Sequence, residues 1–400
     1  MNVQMGKVIV HIDLNAFFAR AEEIRDASLE GKPVAIGHDG RSGIVSTCSY
    51  EARKYGVSSG MPMFKAKELC PNLIIKPVDF RYYGGLSRLF FKFVKRYTPL
   101  VEIASVDECY ADFTEVVKKV SDVPAFFKKM QLDLYQKTKL GCSIGVAATK
   151  FLAKMGSDYK KPMGLTFIRK RDIPNILFPL AIEKMYGIGK KTAPRLRSIG
   201  INTIGDLASR SEKDDSDLVN ILGKFYFVIK DWINGRGSDV VASEPEDAKS
   251  IGNSSTFYHD TNDYSEIKYM FEQLAKEVSS RAIRDNKMGT TIQIVVKEAN
   301  FVVHNKSMTI DTPTNDYKQI LDIALKLYEK NFLSLTVRLV GITLQNLIDP
   351  RDMAIQISLF DYEKAEEENR TRLLINELNR KLKKDSLMRA SEVKPKEKKR

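Results

Sequence analysis

Two apolar runs that end in carboxylates set the terms for this chain. Lys7-Val-Ile-Val-His-Ile12 reads as a near-continuous apolar strand that stops at Asp13, with paired aromatics, Phe17 and Phe18, just beyond. Leu100 to Ala104 runs straight into Ser105-Val-Asp-Glu-Cys-Tyr110, and a strand-like pattern resumes through Phe113. Neighbouring side chains on a strand point to opposite faces, so a plain strand would bury either Asp107 or Glu108. A hairpin turn or bulge would let both reach one site. Burying an unpaired carboxylate is costly or shifts its pKa, so the pair either turns outward as an ordinary acidic turn or binds a cation. Asp13, at the end of a second strand, favours the cation. Three carboxylates on two strands form an all-oxygen cage suited to Mg²⁺, which keeps waters and substrate phosphates as its other ligands. Two such ions about 4 Å apart can clamp the attacking and leaving oxygens of a phosphoryl displacement.

The chain has 400 residues, enough for two to four domains that each bury a core. At 43% apolar and 29% charged residues it reads as an ordinary globular protein. No apolar run of about 18 residues offers a membrane span. The start carries no signal-peptide core, and Cys48, Cys70, Cys109 and Cys142 are far apart with no C-x-x-C pattern. Reduced thiols and a cytoplasmic location are expected. The four histidines have no zinc spacing, and His11 reads as a structural residue in or beside the core. The net charge of +13 suits a polyanionic partner. Its surplus is uneven: residues 1–170 carry 27 basic against 17 acidic side chains, and residues 246–350 carry 12 against 14.

In order along the chain, helices are predicted at Phe17–Ile24, Tyr50–Tyr55, Met63–Leu69, Phe80–Tyr97, near Pro124–Lys137 and at Thr149–Asp158. Strands are predicted at Pro33–Gly37, Gly43–Thr47 and Cys142–Ala147. Strands alternating with helices around carboxylate-bearing strand ends imply an α/β domain. Asp239 to Lys249 is polar, acidic and Pro-bearing, a linker. Beyond it the predicted order is β-α-β-β-α-β: Lys249–Tyr258, Ser265–Asp285, Thr290–Lys297, Asn300–Thr309, Thr314–Tyr328 and Leu335–Leu344.

Asp13-Leu-Asn-Ala-Phe-Phe-Ala19, Tyr50-Glu-Ala-Arg-Lys54 and Ser105-Val-Asp-Glu-Cys-Tyr110 together resemble three signature blocks of the Y-family DNA polymerases, nearest to the DNA polymerase IV-like translesion branch of bacteria. The resemblance covers roughly residues 5–360 in consistent order. It implies a multidomain α/β right-hand polymerase with palm, small fingers, a helix-hairpin-helix thumb and a β-α-β-β-α-β little finger. The implied boundaries are 1–19 and 78–165 for the palm, 20–77 for the fingers, 166–237 for the thumb, 238–249 for the linker, 250–348 for the little finger and 349–400 for the tail. Tyr186-Gly-Ile-Gly-Lys-Lys-Thr192 resembles the thumb hairpin, whose glycines let backbone N–H groups approach a DNA phosphate. Gly187, Gly189 and Lys190 are its candidate DNA contacts. The net charge of −2 over residues 246–350 departs from a simple basic clamp, and DNA contact there asks Lys249, Lys297, Lys306 and Arg338 to share a face.

By the same resemblance, Asp13, Asp107 and Glu108 are the catalytic carboxylates and hold two Mg²⁺, with the Leu14 carbonyl as a further ligand. One ion lowers the pKa of the primer 3′-hydroxyl and the other binds the triphosphate. Tyr50, Arg53, Lys161, Thr47, Phe17 and Phe18 belong to the dNTP site, where an Arg offers a fork and a Lys a point charge to phosphate oxygens. Phe18 matches the sugar-discriminating position, while the Phe17 side chain reads as core. Ser46 and Gly60 match positions that roof the nascent base pair, with Ile44 bulkier than in some relatives, and Asn15 is assigned no metal. Gln356-Ile-Ser-Leu-Phe360 resembles the peptide that docks bacterial polymerases on the sliding clamp, through Gln356, Leu359 and Phe360. The expected partners are primer-template DNA, dNTP and the clamp, with no membrane, for a monomeric translesion polymerase. Two other classes stay open on the residues alone: a nucleotide cyclase-like enzyme on a similar palm, and a non-catalytic clamp-tethered scaffold. The first has no use for the thumb hairpin, the second none for three carboxylates.

Overall fold

Every residue of β1 (Ile9–Leu14) is buried, as a strand with sheet neighbours on both sides and helices on both faces must be. The computed structural model describes residues 6–212, 215–244 and 247–352, with Leu374 and Leu378 further along. The chain divides into two units, 1–247 and 248–400, and the division falls inside the predicted linker.

In the first unit the strands after β1 are β2 (Val34–Gly37), β3 (Val45–Cys48), β4 (Ile74–Lys76), β5 (Val101–Ile103), β6 (Glu108–Asp112), β7 (Cys142–Ala147) and β8 (Leu165–Ile168). The main sheet has the order β5-β6-β1-β7-β8. β1 runs antiparallel to both neighbours, and Asp13 pairs with Glu108 on one side and Ser143 on the other. The pleat then sorts the side chains. Val10, Ile12 and Leu14 join a core with Phe90, Phe127 and Met130 from the helices Phe80–Val94 and Val123–Thr138. Ile9 faces the other way, into a core with Phe151, Leu152 and Met155 of the helix Lys150–Tyr159. His11 and Asp13 share Ile9's parity, so they point at that helix.

Gly145 lets the helix come close. A Cβ there would stand 1.9 Å from the Ala153 carbonyl oxygen and 2.4 Å from the Ser157 nitrogen. Residues that can touch the strand-end carboxylates therefore include those at the helix's middle. Trp232, from the helix Phe225–Ile233, stacks on Phe151 with centroids 4.6 Å apart and planes 12° apart.

The predicted hairpin strands form β2 and β3, and a third strand, β4, pairs parallel with β2. β4 escapes sequence detection because it is three residues long. β8 was not expected: its four residues pair with Ile144–Ala147 of β7, so the main sheet runs through Ile168, three residues past the expected boundary at 165. From Ile173 to Ile233 the chain forms short helices around Leu196, Ile204, Leu207 and Ile229.

The second unit has β9 (Ser250–Thr261), β10 (Met288–Glu298), β11 (Val303–Thr314) and β12 (Val337–Ile348), in antiparallel order β11-β10-β12-β9. The helices Tyr264–Arg284 and Tyr317–Phe332 bury one sheet face through Phe271, Val278, Tyr328, Ile292 and Ile342. The predicted β-α-β-β-α-β order is realised, with one correction. β11 runs on to Thr314, and the helix expected from Thr314 starts at Tyr317 behind the Asp316 cap. Pro313 signals a strand end, but β11 is an edge strand, where a missing N–H is tolerated. A second correction concerns the basic residues. Lys297 pairs with Val303, and Lys306 with Ile294, whose side chain is in the helix-covered core. Lys297 and Lys306 therefore lie on opposite faces. The open face is mostly polar, with Ser254, Thr256, Gln293, Thr343 and Gln345 in register and Lys297 the one basic residue among them.

Candidate active site

Glu108 is the first residue of β6 and pairs with Asp13, so the pleat alone puts both carboxylates on the side of the 150–159 helix. Asp107 precedes the ladder. The chain turns there through Ala104 N–H and Ser105 N–H, which both donate to the Glu108 carbonyl, while the Asp107 carbonyl accepts from Leu14 N–H at 2.9 Å. The strict alternation is broken at this turn, and adjacent carboxylates can serve one site. Ser105 donates its hydroxyl to Asp107 Oδ1 at 2.6 Å.

A cavity of about 360 Å³ opens beside these groups. Asp13, Leu14, Phe17, Phe18 and Thr47 line it, with Tyr50, Arg53, Asp107 and Lys161. These residues, expected to hold metal and nucleotide, come from separate sequence blocks, with Ser46 also on the wall. Glu108 is not among the lining residues and stands beside Asp13 through their strand pairing. Phe18 stacks on Tyr83, centroids 4.4 Å apart, and the Tyr83 hydroxyl donates to buried Glu22 at 2.8 Å. Phe17 is only 2% exposed and packs in the core. Arg53 lies 4.7 Å from the centroid of the Tyr50 ring. The Tyr50 hydroxyl is buried without a hydrogen-bond partner among the described residues, a donor that a phosphate oxygen would satisfy. Asn15 donates to Ser143 Oγ and accepts from Met163 N–H.

Lys154 and Asp158, which sequence reasoning did not place here, complete the arrangement together with Lys161 and His11. Lys154 Nζ lies 2.6 Å from Glu108 Oε2, 3.2 Å from Asp13 Oδ2 and 3.5 Å from Asp158 Oδ2. Lys161 Nζ lies 2.8 Å from both Asp13 Oδ1 and Asp158 Oδ1. His11, expected to be structural, is fully buried and does more than fill space. Its Nδ1 meets Ser157 Oγ at 2.8 Å, and its Nε2 stands 3.5 Å from Glu108 Oε2. The signal available in the sequence was the spacing of Lys154, Asp158 and Lys161, the first two one turn apart on the helix Lys150–Tyr159 and the third just beyond its end.

Burial disfavours charge on Asp107 and raises its pKa, with Asp13 and Glu108 adding repulsion. Glu108 is held well below the ordinary carboxylate range by the His11 ring edge and the Lys154 ammonium, the ammonium being much the closer. Burial lowers the His11 pKa. It also works against the charge on Lys154 and Lys161, but their carboxylate partners outweigh it and both stay protonated with raised pKa values.

The donor set fits divalent cations. Asp13 and Glu108 already accept positive charge on the oxygens that face Lys154 and Lys161, and all the carboxylate ligands are hard oxygen donors of the kind Mg²⁺ takes. His11, Asp13 and Glu108 offer ligand atoms within 4.8 Å of one another.

The hairpin 186–191 lies away from the cavity. Gly187, Gly189 and Lys190 are exposed around buried Ile188. Gly187 has φ +88°, and a Cβ there would meet the Phe225 ring at 2.6 Å, so packing as well as close approach requires it. Gln356, Leu359 and Phe360 lie outside the described residues.

A polymerase-type carboxylate site beside a nucleotide-sized cavity, with a separate four-stranded unit downstream, defines a class: template-directed nucleotidyl transfer. Comparison with known proteins agrees. The impB/mucB/samB family matches residues 12–158, its C-terminal domain 248–359 and the IMS family HHH motif 170–201. DNA polymerase IV of Bacillus velezensis is 39% identical across 98% of this chain and 95% of its own length. DNA polymerase IV 1 of Bacillus subtilis is 39% identical across 94% and 91%. A Y-family DNA polymerase chimera, Dbh-Dpo4(243-245)-Dbh, superposes with a TM-score of 0.75 at 28% identity, covering 85% of this chain and 99% of its own. DinB from Sulfolobus solfataricus gives 0.57 over the same shares, also at 28% identity. The chain belongs to the impB/mucB/samB family of Y-family DNA polymerases, in its DNA polymerase IV branch. It is a DNA-directed DNA polymerase of the translesion type, on a metal-dependent palm, fingers, thumb and little-finger architecture. The cyclase and scaffold readings fall with that.

Proposed function

We propose that Asp13, Asp107 and Glu108, with the Leu14 carbonyl, hold two Mg²⁺ for transfer of a nucleotide from dNTP to a primer 3′-hydroxyl. The ions supply Lewis acidity at the attacking hydroxyl and neutralise the triphosphate. A bond forms between the primer oxygen and the α-phosphorus, and the bond to the departing pyrophosphate breaks. The observation that carries this reading is the single cavity lined by Asp13, Asp107, Phe18, Tyr50, Arg53 and Lys161.

The protein groups divide the remaining work. Lys161 leaves Asp13 for a phosphate oxygen as nucleotide arrives. Arg53, positioned over Tyr50, offers a guanidinium fork, and the unpartnered Tyr50 hydroxyl donates to the same phosphates. Phe18, held flat against Tyr83, fills the space under C2′. With no room or partner there, a 2′-hydroxyl is rejected. Thr47 and the Phe17 backbone close the sugar side, while Gly187, Gly189 and Lys190 take a DNA phosphate at the thumb.

The domain boundaries proposed are 1–19 and 78–168 for the palm, 20–77 for the fingers, 169–237 for the thumb and 250–348 for the little finger. Template-primer DNA lies on the open face of the β9–β12 sheet. Its hydroxyls and amides, and Gly252 and Gly341 in β9 and β12, suit close backbone contact. That face needs no basic stripe, which accommodates the absence of a basic surplus over residues 246–350. A monomer acting in the cytoplasm and tethered to the sliding clamp through Gln356–Phe360 completes the reading. Among the described residues no helix is long and apolar enough to cross a membrane.

Primer extension with Asp107→Ala and Glu108→Ala tests the assignment. Both should lose extension and keep primer-template affinity, which comes mainly from phosphate contacts elsewhere. Near-parental extension by either would refute it.

A further inference from the structure

Lys154 has no role in the scheme above, yet it occupies the centre of it. Its side chain is 12% exposed, and its ammonium reaches Glu108, Asp13 and Asp158 at once. The ammonium donates hydrogen bonds to Glu108 and Asp13 and pairs by charge with Asp158 as the third carboxylate. Glu108 and Asp13 are the proposed metal ligands, and a divalent ion bound to them would repel the ammonium at such short range. The third, Asp158, is one helical turn along at 40% exposure, outside the ligand set. A side chain that left Asp13 and Glu108 would find Asp158 without any movement of the helix. The helix itself is fixed: Gly145 sits against Ala153 and Ser157, and Ser157 Oγ meets His11 Nδ1. Only the side chain is left to move.

We propose that Lys154 is the resident counter-ion of the metal-free site. It holds Asp13 and Glu108 together while no metal is bound, and it transfers to Asp158 when divalent ions take those carboxylates. The proposal rests on the assignment of Asp13 and Glu108 as ligands. Without Lys154, buried Asp13, Asp107 and Glu108 would repel one another with only Lys161 as compensation. With it, the empty site is ordered, and its affinity for divalent ions is set below that of the bare carboxylates. Metal loading is thereby coupled to the arrival of nucleotide, whose phosphates contribute the missing ligands and draw Lys161 off Asp13.

The test is a titration of the full chain with Mn²⁺, free of DNA and nucleotide, with unbound Mn²⁺ read by electron paramagnetic resonance. Removing one positive charge beside the ligands should tighten binding, so Lys154→Met is expected to bind Mn²⁺ on the order of tenfold more tightly than the parent. Asp158→Asn, which removes the alternative partner, is expected to bind severalfold more weakly. In EDTA, Lys154→Met should melt below the parent and recover with Mn²⁺. Equal or weaker Mn²⁺ binding by Lys154→Met overturns the proposal, as does unchanged binding by Asp158→Asn. Should Lys154→Met fail to fold, Lys154→Gln, similar in reach and uncharged, makes the same comparison. Asp13→Asn separates the two levels of the argument. If it binds Mn²⁺ as the parent does, the ligand assignment fails. If it loses binding while Lys154→Met is unchanged, the assignment stands and the counter-ion role falls.

Discussion

Replacing Gly145 by Ala should damage stability and chemistry together, through one contact. The added Cβ would lie 1.9 Å from the Ala153 oxygen and 2.4 Å from the Ser157 nitrogen, both backbone atoms that no rotamer change can move. Reaching even a tight 3.0 Å separation requires the 150–159 helix to retreat from β7 by about 1 Å. Overpacking of this kind costs about 1–3 kcal/mol, and more where backbone must shift. For a unit of roughly 250 residues each kcal/mol lowers the melting temperature by about 2–4 °C. A fall of roughly 2–12 °C in the transition of the first unit is expected from the same scaling. The retreating helix carries Lys154 and Ser157 and leads into Lys161, so the carboxylates lose their partners by a similar distance. Misplacement of about 1 Å at a reacting centre can cost on the order of a hundredfold in rate. The measurements are calorimetric unfolding and single-turnover primer extension. Gly189→Ala, where a Cβ meets nothing within 4 Å, is the control and should leave the melting temperature alone. If Gly145→Ala melts with the parent and extends primers within twofold of it, the close helix-strand approach does not hold the site.

Three further outcomes are expected. Phe18→Ala should admit ribonucleotides, lowering the kcat/KM ratio of dCTP over rCTP by on the order of a hundredfold, the scale of one lost side-chain discrimination; an unchanged ratio returns Phe18 to the core. Asp107→Asn should lose extension yet melt above the parent in EDTA near neutral pH. An acid with a raised pKa is costly to fold while ionised, and that cost disappears as pH falls through the raised value. The advantage should therefore shrink on acidification, and a variant less stable than the parent at neutral pH contradicts the sign. Leu359→Ala with Phe360→Ala should abolish stimulation by the clamp and leave basal extension and melting unchanged, since each apolar side chain buried on the clamp contributes roughly 1.5–3 kcal/mol. A lower melting temperature with stimulation intact would place the peptide on its own domain instead.

What the sequence made legible was what periodicity and strand ends encode. β7 and the helix Met63–Leu69 fall on the predicted residues, because a fully apolar strand and a Pro-bounded helix leave few alternatives. Asp13, Asp107 and Glu108 were legible as acids that apolar strands would not carry without reason. Lys154 was not, since a lysine in a helix reads as solvated until Gly145 shows how near the sheet approaches. β4 and β8 were missed for their brevity, with only three and four residues to display a period. The faces of Lys297 and Lys306 depended on register, which pairing between distant strands decides. The run of β11 through Pro313 was not legible either, because its tolerance comes from an edge position that one strand alone does not announce.

Trp232 is the chain's one tryptophan, and it stacks on Phe151, three residues before Lys154 in the same helix. Its indole also meets Phe225 edge-on and leans against Tyr186 of the hairpin. Intrinsic emission excited at the indole band thus reports from one seam only, where the thumb core rests on the helix behind the carboxylates. Native protein carries its own optical gauge there, and events at the hairpin or along that helix can be followed without any dye.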